Sequence, residues 1–552
     1  MTSENFTKIA DDAVASLCAQ YPEQATFLGE HSFDDRLGEP TVTAERRRRA
    51  ELSSLIAQLD EFPDDQLDTA DAVDRDILRT AVQSELLGLV ELDEASWNPM
   101  LHNPGQALYG LLSRDFAPLP ERLSSLAGRL RAVPEYLEAA RGRLRDMCQV
   151  HVETAIGQLD GTLALIEAEV PAALAEAGGG PDLSQEISKA AAAVRAHQDW
   201  LRAELAGAHR SARLGQELFA SKLALTLATP WQPTTLLEQA YRDLERVEHE
   251  LAELVGRSTK SASADRAAIA AEFDRLAADV PTSDTILQLC RDALTETTDF
   301  VRKHDLLTLL DDPVDIIEMP EIDRGVAVAY CVAVGALETA PLATQFAVSP
   351  TPKDWMPERV RSFYREYNNH MLHNLTIHEA MPGHVEQLSH SHRYEGANRV
   401  RGVFGSGSFI EGWAVYAEEL MAGLGYRGDI SAEAAAAVRM QQLKMQLRTV
   451  LNTIMDVSFH NGDLDEREAM ELMKVRGYQE DGEAAGKWRR VQLSSTQLCT
   501  YYVGYLEVGR LVADLRQAQP SWSPKQLHDT VLNFGSPPVR YLRQLLGLPP
   551  AA

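Results

Sequence analysis

The stretch HNLTIHEAMPGHVEQLSH, residues 373–390, contains a His-Glu pair, His378 and Glu379, and a second histidine, His384. Zinc-binding helices of the HExxH kind carry their histidines four residues apart, which places both rings on one face. Here the spacing is six. In an ideal α-helix, six residues leave two side chains about 120° apart, whereas four leave them about 40° apart. A straight helix would therefore keep the two imidazoles from sharing one ion.

Pro382 and Gly383 lie between the two histidines. Proline four residues after His378 has no N–H for the His378 carbonyl, and its ring clashes with that carbonyl. The glycine adopts unusual dihedral angles at little cost. We therefore predict one deformed helix that loops out about two residues and swings His384 back toward His378.

This bend makes His378 and His384 candidate ligands of a zinc ion. Glu379 directly follows the first ligand, where a carboxylate can take a proton from water as a general base. The third ligand that we predict is Glu411 in SFIEGWAVYAEEL, because zinc sites of the two-His-one-Glu type draw the glutamate from a following helix. Glu418, seven residues later on the same helical face, is placed to orient a ligating histidine by a hydrogen bond.

Two alternatives to this zinc site follow from the same residues. A di-iron carboxylate bundle requires two Glu-x-x-His pairs that face inward. The spacing from Glu379 to His384 is five and that from Glu386 to His390 is four, so the pattern is absent. The other alternative is a buried, hydrogen-bonded histidine pair on a core helix without any metal.

Composition limits the partners of the chain. Its 552 residues are 45% apolar and 24% charged, ordinary values for a globular protein that is too long for a single hydrophobic core. The net charge is -29, from 53 basic and 82 acidic residues, and no Lys/Arg-rich stripe could neutralise a phosphate backbone. We expect neither nucleic acid nor a membrane as a partner.

The cysteines and the N-terminal sequence bear on the cellular location. Five cysteines are widely spaced without a CxxC pair, which is typical of reduced thiols. The segment MTSENFTKIADDAVASL lacks a basic region followed by an apolar run. On these grounds we expect a cytoplasmic protein.

Most of the chain has the periodicity of amphipathic helices, as in residues 123–144. The exception is residues 315–350, where DIIEMP, GVAVAYCVAV and ATQFAVSP are β-branched and bounded by Pro and Gly, which predicts a small sheet. An edge strand there could hold an extended peptide, the alternative being an ordinary structural hairpin. We predict three parts, a helical subdomain at 1–180, another at 181–314, and a metal-site subdomain with the sheet at 315–552.

The segments LHNLTIHEAMPGHVEQLSHSHR and FIEGWAVYAEELM resemble the bacterial family known as domain of unknown function 885, which has HEAxPGH and EGWAxYxE boxes. That family is similar to the gluzincin peptidases of the neurolysin, angiotensin-converting-enzyme and carboxypeptidase Taq type. The resemblance implies a mainly α, two-lobed metallopeptidase-like fold with a central cleft and the small sheet beside the metal site. It also implies His378, His384 and Glu411 as zinc ligands and Glu379 as the general base.

The segment SSTQLCTYYVGYLEVGRL resembles a further box of that family, PGQALxYxxG, with Gln497, Tyr501 and Gly504 in matching places. Related peptidases use a phenol near the metal to stabilise the oxyanion. Tyr501 is our first choice for this role. Tyr502 is the second choice and a candidate substrate contact, and packing in an aromatic core is the alternative for both.

Three further residues are candidates for contacts with the substrate. LRTVLNTIMDVSFHNGD resembles the family's helix that ends in Asp-x-x-x-His, so His460 is a candidate electrophile or carboxylate contact, with Asp456 holding its tautomer. Arg540 in GSPPVRYLRQL could clamp the C-terminal carboxylate of a peptide, since a guanidinium binds carboxylates in a bidentate way. The alternative for Arg540 is a surface residue at a helix start.

The function we predict is a hydrolase that holds one zinc ion per chain and cleaves amide bonds in short peptides or peptide-like molecules. The alternatives are a non-catalytic peptide- or metabolite-binding protein on a degenerate scaffold, and a metal-dependent hydrolase or lyase of a non-peptide substrate. Glu379 favours the first, because a closed structural metal site has no use for that carboxylate.

Overall fold

The computed structural model describes residues 3–178, 181–259, 263–320, 328–352 and 355–550. These residues are mainly α-helical with one small β-sheet, which confirms the predicted fold class. The chain forms two compact units. Unit 1 comprises Met1–Ala212, Val334–Leu342 and Glu395–Phe404, and unit 2 comprises Arg213–Ala333, Ala343–Tyr394 and Gly405–Ala552. None of the helices in the described part is long and apolar enough to cross a membrane.

Unit 1 is helical, and its core lies among α6, α7 and α9. Leucines at helical spacing, such as Leu123, Leu126 and Leu130, are fully buried there. Since α9 packs on α6 and α7, the unit extends to residue 212 and not to the predicted boundary at 180. Its helices are α1 Ser3–Gln20, α2 Pro22–Leu28, α3 Val42–Asp60, α4 Thr69–Leu87, α5 Gly105–Tyr109, α6 Leu119–Arg143, α7 Gln149–Ala164, α8 Val170–Glu176, α9 Ser184–Glu204 and α17 Val400–Val403.

Unit 2 contains the sheet and the histidine-rich stretch. Its N-terminal helices are α10 Gln216–Thr226, α11 Pro233–Thr259, α12 Arg266–Leu276 and α13 Ile286–His304. After the strands β1 Val314–Glu318, β2 Ala329–Val332 and β3 Thr344–Val348 come α14 Pro357–Glu366, α15 Asn369–Glu379 and α16 His384–His392. The C-terminal helices are α18 Gly407–Gly423, α19 Ala432–Asn461, α20 Glu466–Glu471, α21 Asp481–Leu493, α22 Thr500–Ala518, α23 Pro524–Leu532 and α24 Val539–Leu545.

The sheet supports α15. Its strand order is β1-β3-β2, with β1 parallel and β2 antiparallel to the central strand β3. Phe346 and Val348 of β3 are fully buried in one cluster with Met371 and Leu372 of α15. Residues 325–327, at the start of the predicted strand segment GVAVAYCVAV, lie outside the described residues. The sheet therefore helps to fix the helix that carries the first histidine of the candidate site.

Two helix pairs form the centre of unit 2. Helix α19 packs along α11 through buried side chains that include Leu447, Ile454 and Leu244. Helix α18 packs on α22 so closely that a Cβ atom added at Gly412 would lie 2.3 Å from the carbonyl carbon of Gly504. Both positions need glycine for this approach. This contact fixes the position of α18 against α22, and α18 carries the predicted ligand Glu411.

Candidate metal centre

The histidine stretch forms two helices joined by a turn, where we predicted one deformed helix. Helix α15 ends at Glu379 and α16 begins at His384. The turn between them contains a cis peptide bond before Pro382. The proline does break the helical hydrogen bonding, as predicted. The break is complete, however, because α15 ends before the proline and a new helix, α16, begins after Gly383.

Close packing of the backbone shapes this turn. The N–H of Gly383 donates to the carbonyl of Ile377 at 2.9 Å. A Cβ atom at Gly383 would lie 1.9 Å from the carbonyl oxygen of His378, so no side chain fits there. The indole N–H of Trp413 in α18 donates to the carbonyl of Pro382 at 2.8 Å. The turn is therefore tied to the helix that carries Glu411.

The turn brings His378, His384 and Glu411 together. Oε2 of Glu411 lies 3.3 Å from Nε2 of His378 and 3.4 Å from Nε2 of His384. The ligand atoms of the three residues all lie within 4.8 Å of one another. Both histidines are buried, and all three residues belong to unit 2. This cluster contains the three residues predicted as metal ligands.

The chemistry of this cluster fits a zinc ion. Four ligands at about 2.0–2.1 Å in a tetrahedron have edges of about 3.3 Å, close to the two distances from Oε2 of Glu411 to the ring nitrogens. Oε2 of Glu411 is buried, and among the described residues it has no hydrogen-bond partner, although two ring nitrogens lie near it. Buried polar atoms are nearly always paired. A cation between these atoms would satisfy Glu411 and both imidazoles together.

His378 is held from its other side by Glu418. Its Nδ1 lies 2.6 Å from Oε1 of Glu418, which is itself 1% exposed. The amide of Asn374 donates to the second oxygen of Glu418 at 2.6 Å. Burial alone would lower the pKa of His378, but its contacts with Glu411 and Glu418 raise that pKa well above the ordinary value. This arrangement directs Nε2 of His378 toward Glu411.

Glu379 lies at the end of α15 next to the cluster. Its side chain is buried, and the described residues make no hydrogen bond to its carboxylate. Burial raises the pKa of Glu379 above its ordinary value, against the opposing charges of His378 and His384. A buried carboxylate without a structural partner is available for proton transfer.

Tyr501 and Tyr502 lie in different environments. Tyr501 is half-buried at the start of α22, and its hydroxyl accepts a hydrogen bond from Arg490 at 3.4 Å. Tyr502 is fully buried, and its hydroxyl donates to Asp243 at 2.5 Å. Burial and this carboxylate raise the pKa of Tyr502. We predicted Tyr502 as a candidate substrate contact. The structure instead places it in the core.

His460 and Asp456 hold the end of α19 to neighbouring backbone. Nε2–H of His460 donates to the carbonyl of Ser494 at 2.9 Å, and Nδ1 accepts from the N–H of Leu214 at 3.4 Å. Burial lowers the pKa of His460 to about 4 and raises that of Asp456 to about 7. With both nitrogens in use and 3% exposure, His460 is a structural residue and not the predicted electrophile.

Asp456 also differs from its prediction. Its carboxylate accepts backbone hydrogen bonds from Thr496 at 3.3 Å and from Cys499 at 3.2 Å. It lies 3.5 Å from Nε2 of His460, but that nitrogen donates to Ser494 instead. Asp456 therefore caps the turn that precedes α22 and does not set the tautomer of His460.

Arg540 is exposed at the start of α24. Its guanidinium lies over the ring of Tyr541, 4.4 Å from the centroid, and donates to the hydroxyl of that residue. Arg540 is therefore a surface residue at a helix start, which is the alternative to the predicted clamp. The predicted clamp for a substrate carboxylate has no support from its contacts.

Two residues that position the site were not predicted. Asn374 lies four residues before His378 on the same face of α15, so its spacing was a usable signal. Trp413 lies within the EGWAxYxE box, but no sequence pattern indicates that an indole binds the carbonyl before Gly383.

The chain belongs to the family described as "Bacterial protein of unknown function (DUF885)", which matches residues 22–546. This confirms the resemblance based on the two boxes. No curated protein matches the chain.

Two solved structures match the chain over almost its whole length. One is of a "putative lipoprotein" of unknown function from Shewanella oneidensis, with 29% identity, 98% of this chain and 99% of that chain covered, and a TM-score of 0.81. The other is of a "putative lipoprotein" from Colwellia psychrerythraea, with 15% identity, 99% of this chain and 98% of that chain covered, and a TM-score of 0.82. Metallocarboxypeptidase 1 of Trypanosoma cruzi aligns over 92% of this chain and 96% of that chain with 12% identity and a low TM-score of 0.32.

The predicted cytoplasmic location is wrong on this comparison, because both extensive matches are described as lipoproteins. The wide spacing of the cysteines was too weak a basis for predicting the cellular location. Four of the five cysteines are buried and none forms a disulfide bond in the described part of the chain, an arrangement that does not identify a compartment.

Proposed function

We propose that this protein is a zinc-dependent hydrolase that cleaves amide bonds in short peptides or peptide-like molecules. The proposal is carried by one observation, the position of Oε2 of Glu411 at 3.3 Å and 3.4 Å from two imidazole nitrogens. Two histidines and one glutamate form an open zinc site, with a position left for water or substrate. Closed structural sites use four protein ligands instead.

The residues of the cluster have separate tasks. Nε2 of His378, Nε2 of His384 and Oε2 of Glu411 would hold the zinc ion. When bound, zinc acts as a Lewis acid that acidifies water and polarises a carbonyl group. Glu418 keeps the proton of His378 on Nδ1, so that Nε2 presents its lone pair.

Glu379 supplies the proton transfer. Its carboxylate accepts a proton from the attacking water and delivers the proton to the leaving nitrogen, which makes the amine a better leaving group. The phenol of Tyr501 donates a hydrogen bond to the oxygen that becomes negative as the carbonyl is attacked. Arg490, which donates to that phenol, holds Tyr501 in place.

A peptide-library experiment tests this function. The zinc-loaded protein, Glu379→Gln and the matched control Glu395→Gln are incubated with the library, and the products are identified by mass spectrometry. Glu395 is exposed after the end of α16 and is not a residue of the metal centre, so its substitution removes one carboxylate charge and leaves that centre unchanged. We expect new peptide ends with wild type and control, and a rate at least about a thousandfold lower with Glu379→Gln. Equal cleavage by Glu379→Gln, or cleavage that survives zinc removal, would contradict the proposal.

A further inference from the structure

Three cationic side chains lie together where α19 and α21 meet in unit 2. We call Arg448, Lys487 and Arg490 the cationic cluster. The acidic residue Glu483 also lies here, four residues before Lys487 on α21. In a chain with a net charge of -29, a local excess of positive charge is unusual. It identifies a place that attracts anions.

Glu483 does not balance this charge, because its oxygens are already used. Oε1 accepts from the guanidinium of Arg448, and Oε2 accepts from the hydroxyl of Tyr367 at 3.0 Å. A second carboxylate nearby, Glu366, is paired with Lys444 at 2.9 Å. The three basic side chains of the cationic cluster therefore outnumber the one carboxylate, Glu483, that lies among them.

Lys487 is 6% exposed, and its ammonium lies 3.8 Å from Glu483. Among the described residues it makes no hydrogen bond. Burial lowers the pKa of Lys487 well below its ordinary value, and the charges of Arg448 and Arg490 lower it further. A buried ammonium is normally paired with a carboxylate or held by several acceptors. Lys487 therefore shares the carboxylate of Glu483 with Arg448, and a further anion bound beside it would favour its charged form.

Arg490 lies one turn further along α21 and is half-buried. Its side chain makes one hydrogen bond within the described part of the chain, the 3.4 Å contact with the hydroxyl of Tyr501. A guanidinium carries five N–H donors in a planar fork that matches a carboxylate. Most of these donors are left for a ligand.

Tyr501 connects the cationic cluster to helix α22, which packs on α18. It lies three residues before Gly504 on α22 and so on a similar face of that helix. Gly504 touches Gly412, which directly follows Glu411 on α18. The cationic cluster therefore contacts α22, the helix that packs on the helix carrying Glu411.

We propose that Lys487 and Arg490 bind a carboxylate of the substrate, so that the enzyme prefers peptides whose anionic group lies a short distance from the bond that is cleaved. This inference rests on the proposed function and deepens it. The carboxylate is either the free C-terminus of the peptide or the side chain of an acidic residue. Arg490 thus replaces Arg540 as the carboxylate-binding arginine.

Calorimetric binding of three probes tests the inference. The probes are trialanine with a free C-terminus, its C-terminal amide, and acetyl-Ala-Glu-Ala-amide. The protein is zinc-loaded and carries Glu379→Gln, so that the probes are not consumed. Arg490→Gln and Lys487→Gln are compared in this background with Arg489→Gln, which removes the same charge from the neighbouring exposed position. Circular dichroism verifies that each variant is folded.

We expect one of the two carboxylate-bearing probes to bind at least tenfold more tightly than trialanine amide, and the tighter one identifies the source of the carboxylate. Arg490→Gln and Lys487→Gln remove this preference, whereas Arg489→Gln retains it. Equal binding of all three probes, or a preference that survives both substitutions, would overturn the inference. Failure of the proposed function would appear as cleavage by Glu379→Gln in the peptide-library experiment, whereas failure of this inference would appear as equal binding of the three probes, so the two failures are distinguishable.

Discussion

Nδ1 of His378 lies 2.6 Å from Oε1 of Glu418, and this pair fixes the direction of the other ring nitrogen. Glu418 is almost fully buried and also accepts a hydrogen bond from Asn374. A buried carboxylate with two donors can hold an imidazole in one tautomer and increase its strength as a ligand. The hydrogen bonds that orient His378 are therefore as specific a feature of the metal centre as the ligands themselves.

Glu418→Gln should weaken zinc binding about 10–100-fold, because a glutamine amide can accept from only one of the two donors. Affinity is measured by competition with a chromophoric chelator. Glu419→Gln is the matched control on the next residue of α18 and should bind zinc like wild type. Unchanged affinity in Glu418→Gln would show that the pair does not support the metal.

Gly383→Ala should destabilise the fold by about 1–3 kcal/mol and weaken zinc binding. The added Cβ would lie 1.9 Å from the carbonyl oxygen of His378, so the turn must open and shift His384. Gly509→Ala is the control, since a Cβ there meets nothing within 4 Å. That substitution lies inside α22 and should stabilise it by up to about 1 kcal/mol. Thermal unfolding of both variants, with and without zinc, measures the difference.

Tyr501→Phe should lower kcat about 100-fold on the peptide that the library identifies, with zinc content unchanged, because one donor to the oxyanion is lost. Tyr502→Phe, one residue later, should leave kcat per folded molecule unchanged. It should lower stability by about 1 kcal/mol through the lost hydrogen bond to Asp243. Equal kcat in the two variants would remove Tyr501 from the mechanism.

His528 should make the protein sensitive to acid. It is fully buried, Nδ1 donates to the carbonyl of Leu306 at 2.7 Å, and Nε2 accepts from Tyr416 at 2.9 Å. Burial lowers its pKa from 6.5 to about 4. The unfolded chain therefore takes up the proton first, and the contribution of His528 to stability is complete above pH 6.5 and declines as the pH falls toward 4.

Between pH 7.5 and pH 5 this group alone should cost about 2 kcal/mol of unfolding free energy. His528→Gln should be less stable than wild type at pH 7.5 but should lose less on acidification, as measured by denaturant unfolding at both values. His249→Gln, at a largely exposed position, should behave like wild type. An identical loss in wild type and His528→Gln would show that the buried imidazole is not responsible.

The sequence predicted the meeting of His378, His384 and Glu411 but not how the chain achieves it. Pro382 and Gly383 indicate a break in the helix, and any break of that size can bring the second ring back. The break is a full turn that is held by a hydrogen bond from Trp413 of α18. No pattern in the neighbouring sequence predicts such a contact with a distant helix. The order of the sheet was equally hidden, since β1 pairs with the distant β3 and not with its neighbour in the chain.

Polar residues on helices were the weakest basis for prediction. His460, Asp456 and Tyr502 have residue types that are common in active sites, yet each satisfies its polar atoms within the core. A single sequence cannot distinguish a buried hydrogen-bonded group from one that faces a substrate, because both occur at the same helical spacing. The same limit applies to Lys487 and Arg490, because the spacing of basic residues along α21 does not show that Lys487 is buried.

The zinc content of the purified protein tests the central claim most directly. Plasma mass spectrometry is performed on wild type, His384→Ala and His392→Ala, each without a histidine tag. His392 is an exposed histidine of the same helix and serves as the control. The account predicts about one zinc per chain in wild type and His392→Ala, and its loss in His384→Ala. No zinc in wild type, or equal zinc in all three proteins, would contradict it.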